Sequence, residues 1–134
     1  MLVVQAYLDD FFLNTYWSDG LIISTPTGST GYSLSTGGPI IAPGTSNMII
    51  TPIAPHNLNV RPLVISDMRK ITLKVEGNDP TFMISLDSQS KILSSDVEIS
   101  ISKAEFKVGL IRFGPHDYFD TLRGKLMWGS DRRN

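Results

Sequence analysis

The sequence predicts a mainly β protein, an antiparallel sandwich-like domain with one short helix after a Gly/Ser/Thr-rich loop and one helix near the C-terminus. Three observations lead there. Apolar and polar residues alternate in short runs along most of the chain, and clusters of Gly, Pro, Asn, Asp and Ser interrupt those runs. Helical spacing recurs at Phe119, Leu122 and Leu126. The chain of 134 residues is 41% hydrophobic and 19% charged. That composition suits one folded domain over residues 1–134, long enough to bury a core without staples.

The elements follow in order. Leu2 to Leu8 and Phe11 to Trp17 are rich in aromatic and β-branched residues around the polar break Asp9-Asp10, the pattern of a hairpin. Gly20 to Thr25 is a third strand-like run. It delivers the chain into Ser24 to Gly38, where eight of the thirteen residues from Ser24 to Thr36 are Ser or Thr and Pro26, Gly28 and Gly31 break any regular structure. A short helix through Tyr32, Leu34 and Ser35 is expected inside it, capped by Ser29 or Thr30 and stopped at Gly37-Gly38. Further strands are expected at Met48–Ile53 and Leu63–Ile65, then at the alternations Ile71/Leu73/Val75, Phe82/Ile84/Leu86, Val97/Ile99/Ile101 and Phe106/Val108/Leu110. Gly77-Asn78-Asp79-Pro80 and Ser94-Ser95 separate them. After Pro115-His116-Asp117 the helical spacing predicts the last helix.

Composition excludes several functions. With no cysteine there is no disulfide framework, thiolate metal site or cysteine nucleophile, which accords with a reducing compartment and an expected cytoplasmic location. Twelve Lys and Arg against thirteen Asp and Glu leave no basic field for a nucleic-acid backbone. Apolar runs such as Leu21–Ile23 and Met48–Ile50 fall far short of the roughly 20 residues of a membrane helix. No nucleic-acid or membrane partner is expected.

Gly31-Tyr32-Ser33-Leu34-Ser35 approaches the nucleophile elbow G-x-S-x-G, and Ser33, Asp87 and His116 follow in α/β-hydrolase order. The last glycine is absent, and consecutive strands without intervening helices do not make the parallel sheet that elbow needs. No P-loop or Gly-x-Gly-x-x-Gly pattern occurs. The Ser24–Gly38 segment therefore reads either as a surface loop or as a binding loop presenting N–H and O–H groups to a polar ligand. His56 and His116 lack partners at metal-ligand spacing, so no metal site is expected. Asp87 ends a strand alternation, where it either caps a turn or hands a carboxylate to a sheet edge. Asp19 and Gln89 are open to equally local readings.

The run Trp17-Ser18-Asp19-Gly20-Leu21-Ile22-Ile23-Ser24-Thr25-Pro26-Thr27-Gly28-Ser29-Thr30-Gly31-Tyr32-Ser33-Leu34-Ser35, with Gly37-Gly38-Pro39 after it, closely resembles the signature of the NAD kinase family. Ile50-Thr51-Pro52-Ile53-Ala54-Pro55-His56, Arg61-Pro62-Leu63-Val64, Leu86-Asp87-Ser88-Gln89 and Leu122-Arg123-Gly124-Lys125-Leu126-Met127-Trp128 extend the resemblance over nearly the whole chain, with a bacterial flavour. It implies the β-rich C-terminal lobe of a two-lobed kinase. The Gly-Gly-Asp-Gly loop and the ribose-holding Asn-Glu pair of the family's other lobe occur nowhere in these residues, so a fragment is expected.

By that resemblance, Asp19, Thr30, Gly31, Tyr32, Ser33, Leu34, Ser35, Ala54 and Gln89 would line an NAD pocket, with Thr27, Asp87 and Trp17 as further candidates. Tyr32 offers a ring for stacking, and the Thr30 and Ser35 hydroxyls can read the polar edges of a base or ribose. Gly31 replaces the alanine more usual at its place, which keeps the backbone contact, and Trp17 stands where many members carry a basic residue. The implied reaction moves a phosphoryl group from ATP or polyphosphate to the adenosine 2′-hydroxyl of NAD, with Mg²⁺ or another divalent cation on the donor. The base would lie in the other lobe, leaving no catalytic residue in this chain and no activity in it alone. A homo-oligomer, dimer or tetramer, is implied. Lipid kinases of the diacylglycerol and sphingosine type and a non-catalytic dinucleotide-binding domain are the alternative readings.

Overall fold

The computed structural model describes residues 1–77, 80–111, 113–115 and 117–129. The chain divides into two units, Met1–Lys103 and Ala104–Asn134. In the first, β1 (Leu2–Leu8) and β2 (Phe11–Ser18) form the expected hairpin. Asp9 and Asp10 both take positive φ, 48° and 69°, as a two-residue turn matched to the twist of its strands requires. Asp9 also reaches across the fold. Its backbone N–H donates to the Lys70 carbonyl, its carboxylate accepts from the Lys70 N–H at 2.8 Å and it pairs with Arg69 at 3.0 Å.

β3 (Gly20–Ser24), β4 (Asn47–Ile53) and β5 (Leu63–Ser66) make a three-stranded antiparallel sheet. β6 (Ile71–Glu76) returns to pair with β1, giving with β9 (Ile99–Ile101) a four-stranded sheet of order β2-β1-β6-β9. The two sheets share one core: Val4, Ala6, Tyr16, Ile71 and Leu73 from the first meet Met48 and Ile50 from the second. Each fully buried isoleucine there contributes roughly 2–3 kcal/mol. Burial pushes the Tyr16 hydroxyl pKa up, against a smaller lowering by the Asn14 side chain.

β7 (Thr81–Leu86) and β8 (Gln89–Ser94) form a separate hairpin. β8 was not among the expected strands, because Gln89-Ser90-Lys91-Ile92 shows no apolar alternation. Its pairing with β7 supplies the order. The opposite correction applies to Phe106/Val108/Leu110, which form no strand and stand 75%, 79% and 77% exposed. Alternation marks a face that can be buried, but a strand also needs an edge to pair with, and no described residue pairs with this run. Among the described residues of the second unit, the organised element is the expected terminal helix, α2 (Tyr118–Leu126). Its N-cap is Asp117, whose carboxylate accepts from the Phe119 N–H at 3.1 Å, and Met127 ends it at φ 56°. His116 lies outside the described residues.

Candidate functional site

The Ser/Thr-rich segment folds as a 3₁₀ turn over Thr27–Thr30 followed by a single helical turn, α1 (Tyr32–Ser35). It packs on the face of the three-stranded sheet turned away from the core. Along β4 the side chains alternate, so Met48 and Ile50 enter the core while Ile49 and Thr51 face the other way and are still fully buried. The segment built on that second face covers them.

Apart from the Ser24 hydroxyl, which is buried without a hydrogen-bond partner, its hydroxyls divide into two sets. Ser29, fully buried, donates to the Pro26 carbonyl at 2.6 Å and accepts from the Ile41 N–H at 3.0 Å. Ser33, 1% exposed, shares a 2.9 Å hydrogen bond with the Thr51 hydroxyl on β4. Thr36 donates to the Ser33 carbonyl, and Thr25 accepts from the Gly28 N–H. These side chains build the loop. Neither Ser29 nor Thr30 caps α1, contrary to the sequence expectation: Gly31 occupies the N-cap with no side-chain bond, because Ser29 is turned inward toward Ile41. The glycine stop does form as expected. Gly37 at φ 86° donates to the Leu34 carbonyl and Gly38 to the Ser33 carbonyl, the paired bonds of a Schellman motif.

The second set faces solvent. Tyr32 is 64% exposed; Thr27, Thr30, Gly31 and Ser35 are also exposed, and Leu34 is half-buried. Among the described residues, the Ser35 hydroxyl and the Asp19 carboxylate have no intramolecular partner. Asp19 is the one residue between β2 and β3, so the chain crosses there from the four-stranded to the three-stranded sheet. Its N–H donates to the Ile53 carbonyl at 2.9 Å, while the neighbouring Trp17 carbonyl accepts from the His56 N–H at 2.8 Å. Ala54, at φ 45°, turns the chain between those two bonds. Asp19, Trp17 and Ala54 thus meet at one end of β4, and α1 is fastened to the same strand at Thr51. Two residues along a strand span about 7 Å.

Asp87 and Gln89 lie elsewhere in the fold. Asp87, at φ 51°, starts the two-residue turn of the β7–β8 hairpin and Gln89 opens β8; both are exposed. Among the described residues, no hydrogen bond or ion pair joins that tip to α1, the 3₁₀ turn or Asp19. The nucleophile-elbow reading fails here, because Ser33 is buried and bonded to Thr51 on an antiparallel sheet. Sequence reasoning missed Thr51 and Ser29 as supports of the loop. Their only sequence signal was hydroxyl identity.

A family model for the ATP-NAD kinase C-terminal domain matches residues 1–113. This chain belongs to that family. Its relatives include an NAD kinase from Cytophaga hutchinsonii, 54% identical over all 134 residues and 46% of the relative's length, and one from Bacteroides fragilis, 46% identical over 133 residues and also 46% of its length. The chain therefore spans about half the length of the curated relatives it matches. Among solved structures, an NAD kinase from Archaeoglobus fulgidus in complex with ATP superposes with a TM-score of 0.70 at 37% identity, over 79% of this chain and 41% of that one. Yeast NADH kinase complexed with NADH gives a TM-score of 0.75 at 24% identity over 98% of this chain and 41% of that one, a likeness of fold. Across the ATP-NAD kinase C-terminal domain, then, the β-rich architecture read from the sequence is the family's own. No helix among the described residues is long and apolar enough to cross a membrane.

Proposed function

We propose that this chain is the dinucleotide-binding part of an NAD kinase, which transfers the terminal phosphoryl group of ATP or polyphosphate to the adenosine 2′-hydroxyl of NAD. The observation that carries this reading is 54% identity to an NAD kinase along the whole chain. The free groups on the outer face agree with it. The Asp19 carboxylate can accept from a ribose hydroxyl or an exocyclic amine, the Tyr32 ring can stack on a base, and the Ser35 hydroxyl can donate or accept beside it. Thr30, Gly31 and Leu34 contribute backbone to this surface, with Ala54, Trp17 and Thr27 at its margins; Gln89 and Asp87, on the separate β7–β8 tip, are assigned to the dinucleotide by the family resemblance alone.

In the reaction, the 2′-oxygen attacks the terminal phosphorus, the bond to the leaving ADP oxygen breaks, and the hydroxyl proton passes to a carboxylate. Residues of this chain bind and orient the acceptor, which lowers the entropic part of the barrier. The phosphate loop and that carboxylate are assigned to the half of the relatives' length that these residues do not span. Among the described residues no three His, Cys, Asp or Glu side chains converge, so these side chains do not form a resident cation site. Mg²⁺ or another divalent cation belongs to this reading as a companion of the donor phosphates. A cytoplasmic homo-oligomer, dimer or tetramer, completes it; exposed Phe11, Phe12 and Trp17 leave apolar surface for a second copy.

Calorimetric titration of the chain with NAD and NADP tests the proposal. Saturable binding is expected, weakened about tenfold by Tyr32→Ala and weakened again by Asp19→Asn, with no NADP formed from NAD and ATP by this chain alone. Absence of binding, or binding indifferent to both substitutions, would overturn it.

A further inference from the structure

We infer that the buried Ser33–Thr51 hydroxyl pair is the positioning element of the dinucleotide surface, so that Ser33 acts through β4 and not by touching the ligand. The inference rests on the dinucleotide-binding reading above. α1 is a single turn, far too short to hold its own conformation in water. Its attachment must come from outside, and one side-chain bond supplies it: Ser33 Oγ to Thr51 Oγ1, 2.9 Å, with both residues buried to 1% exposure or less. The Ser33 carbonyl carries the rest of the load, accepting from the Gly38 N–H at 2.8 Å and from the Thr36 hydroxyl at 3.0 Å. Gly38 leaves room for this, since a Cβ there would stand 2.3 Å from Ser33 Oγ.

Thr51 is the partner because β4 already holds the other half of the surface. The Ile53 carbonyl fixes Asp19 two residues further along the strand. One rigid strand therefore sets the separation between Asp19 and Ala54 on one side and Tyr32 and Ser35 on the other. A hydroxyl pair is well suited to fixing that separation, because its bond is directional and, in a dry site, each oxygen left alone would be costly. α1 therefore has one seating.

The test compares Thr51→Val, Ser33→Ala, the double variant and Thr51→Ser, each titrated with NAD at a temperature where circular dichroism shows it fully folded. Thr51→Val and Ser33→Ala are expected to weaken NAD binding about tenfold, the cost of one orphaned buried hydroxyl. Thr51→Ser should stay near the parent, and the double variant should be no weaker than the worse single one, because both remove the same bond. A fall in thermal midpoint with the dissociation constant unchanged would make the pair merely structural and overturn the proposal. A second measurement needs no variant. In the unmodified chain, before NAD is added, the Leu34, Gly37 and Gly38 amides should exchange with solvent as slowly as those of β4; exchange at the rate of an open peptide overturns it. If the parent chain binds neither NAD nor NADP, the dinucleotide reading fails by itself, and the exchange rates still decide whether α1 is held in place.

Discussion

Replacing Gly38 by alanine tests the loop's construction at its tightest point. The new methyl would lie 2.3 Å from Ser33 Oγ, 2.7 Å from the Ser33 carbonyl oxygen and 3.1 Å from its carbon, against ordinary contact at 3.4–4 Å. The backbone atoms cannot retreat without breaking the 2.8 Å bond from the Gly38 N–H, and the hydroxyl cannot move without releasing Thr51. Overpacking of this kind costs about 1–3 kcal/mol, and orphaning a buried hydroxyl adds about 1–3 kcal/mol. The expected loss is therefore about 3 kcal/mol, equivalent to a fall of roughly 10 °C in Tm for a chain of this size. Urea unfolding followed by circular dichroism measures it, with a midpoint shift of about 1.5–2 M expected. Gly109→Ala is the reference, since a Cβ there meets nothing within 4 Å. A Gly38→Ala protein within about 1 kcal/mol of the parent, midpoint and slope unchanged, would refute the account of Ser33 as a crowded, fixed anchor.

Ser29→Ala leaves the Ile41 N–H without its partner and should cost about 2 kcal/mol in urea unfolding, whereas Thr30→Ala, one residue on and exposed, should stay within about 0.5 kcal/mol. Asp9→Ala removes the carboxylate's bonds to the Lys70 N–H and Arg69 and leaves a Cβ residue without side-chain compensation at φ 48°; a loss of about 2 kcal/mol is expected by thermal unfolding, with Asp9→Gly recovering roughly half through freedom at that φ. Burial raises the Tyr16 pKa from its ordinary 10.0, so the folded state retains the phenolic proton more tightly than the unfolded chain. That contribution is complete below pH 10.0 and is lost as pH rises through the folded value, so stability should fall with alkalinity and Tyr16→Phe should flatten the decline.

Much of the architecture was legible in the residues because its signals are local. Asp9-Asp10 marks a two-residue turn wherever it lies, Gly37-Gly38 stops a helix whatever surrounds it, and period-two alternation in Ile71/Leu73/Val75 names the buried face of β6. Where local signals had to stand for tertiary ones, they failed. Phe106/Val108/Leu110 alternates as well as β6 does but forms no strand, and Gln89–Ser94 forms one without alternating, because strand pairing depends on whether an edge is presented.

The site shows the same division at closer range. Residue types and order were enough to place a dense set of hydroxyls between Ser24 and Thr36, to put Asp19 at a break between strands and to reveal the resemblance to NAD kinases. They could not say which hydroxyl looks inward. Ser29, Ser33 and Ser35 are chemically identical, yet Ser29 is spent on Ile41, twelve residues away, Ser33 on Thr51, eighteen away, and Ser35 is left in the open. Spacing along the loop carries no record of those partners. The packing of α1 against β4 settles the matter: the Ser33 hydroxyl buried there is bonded to Thr51, and the Ser35 hydroxyl on the outer face is free to bind something else.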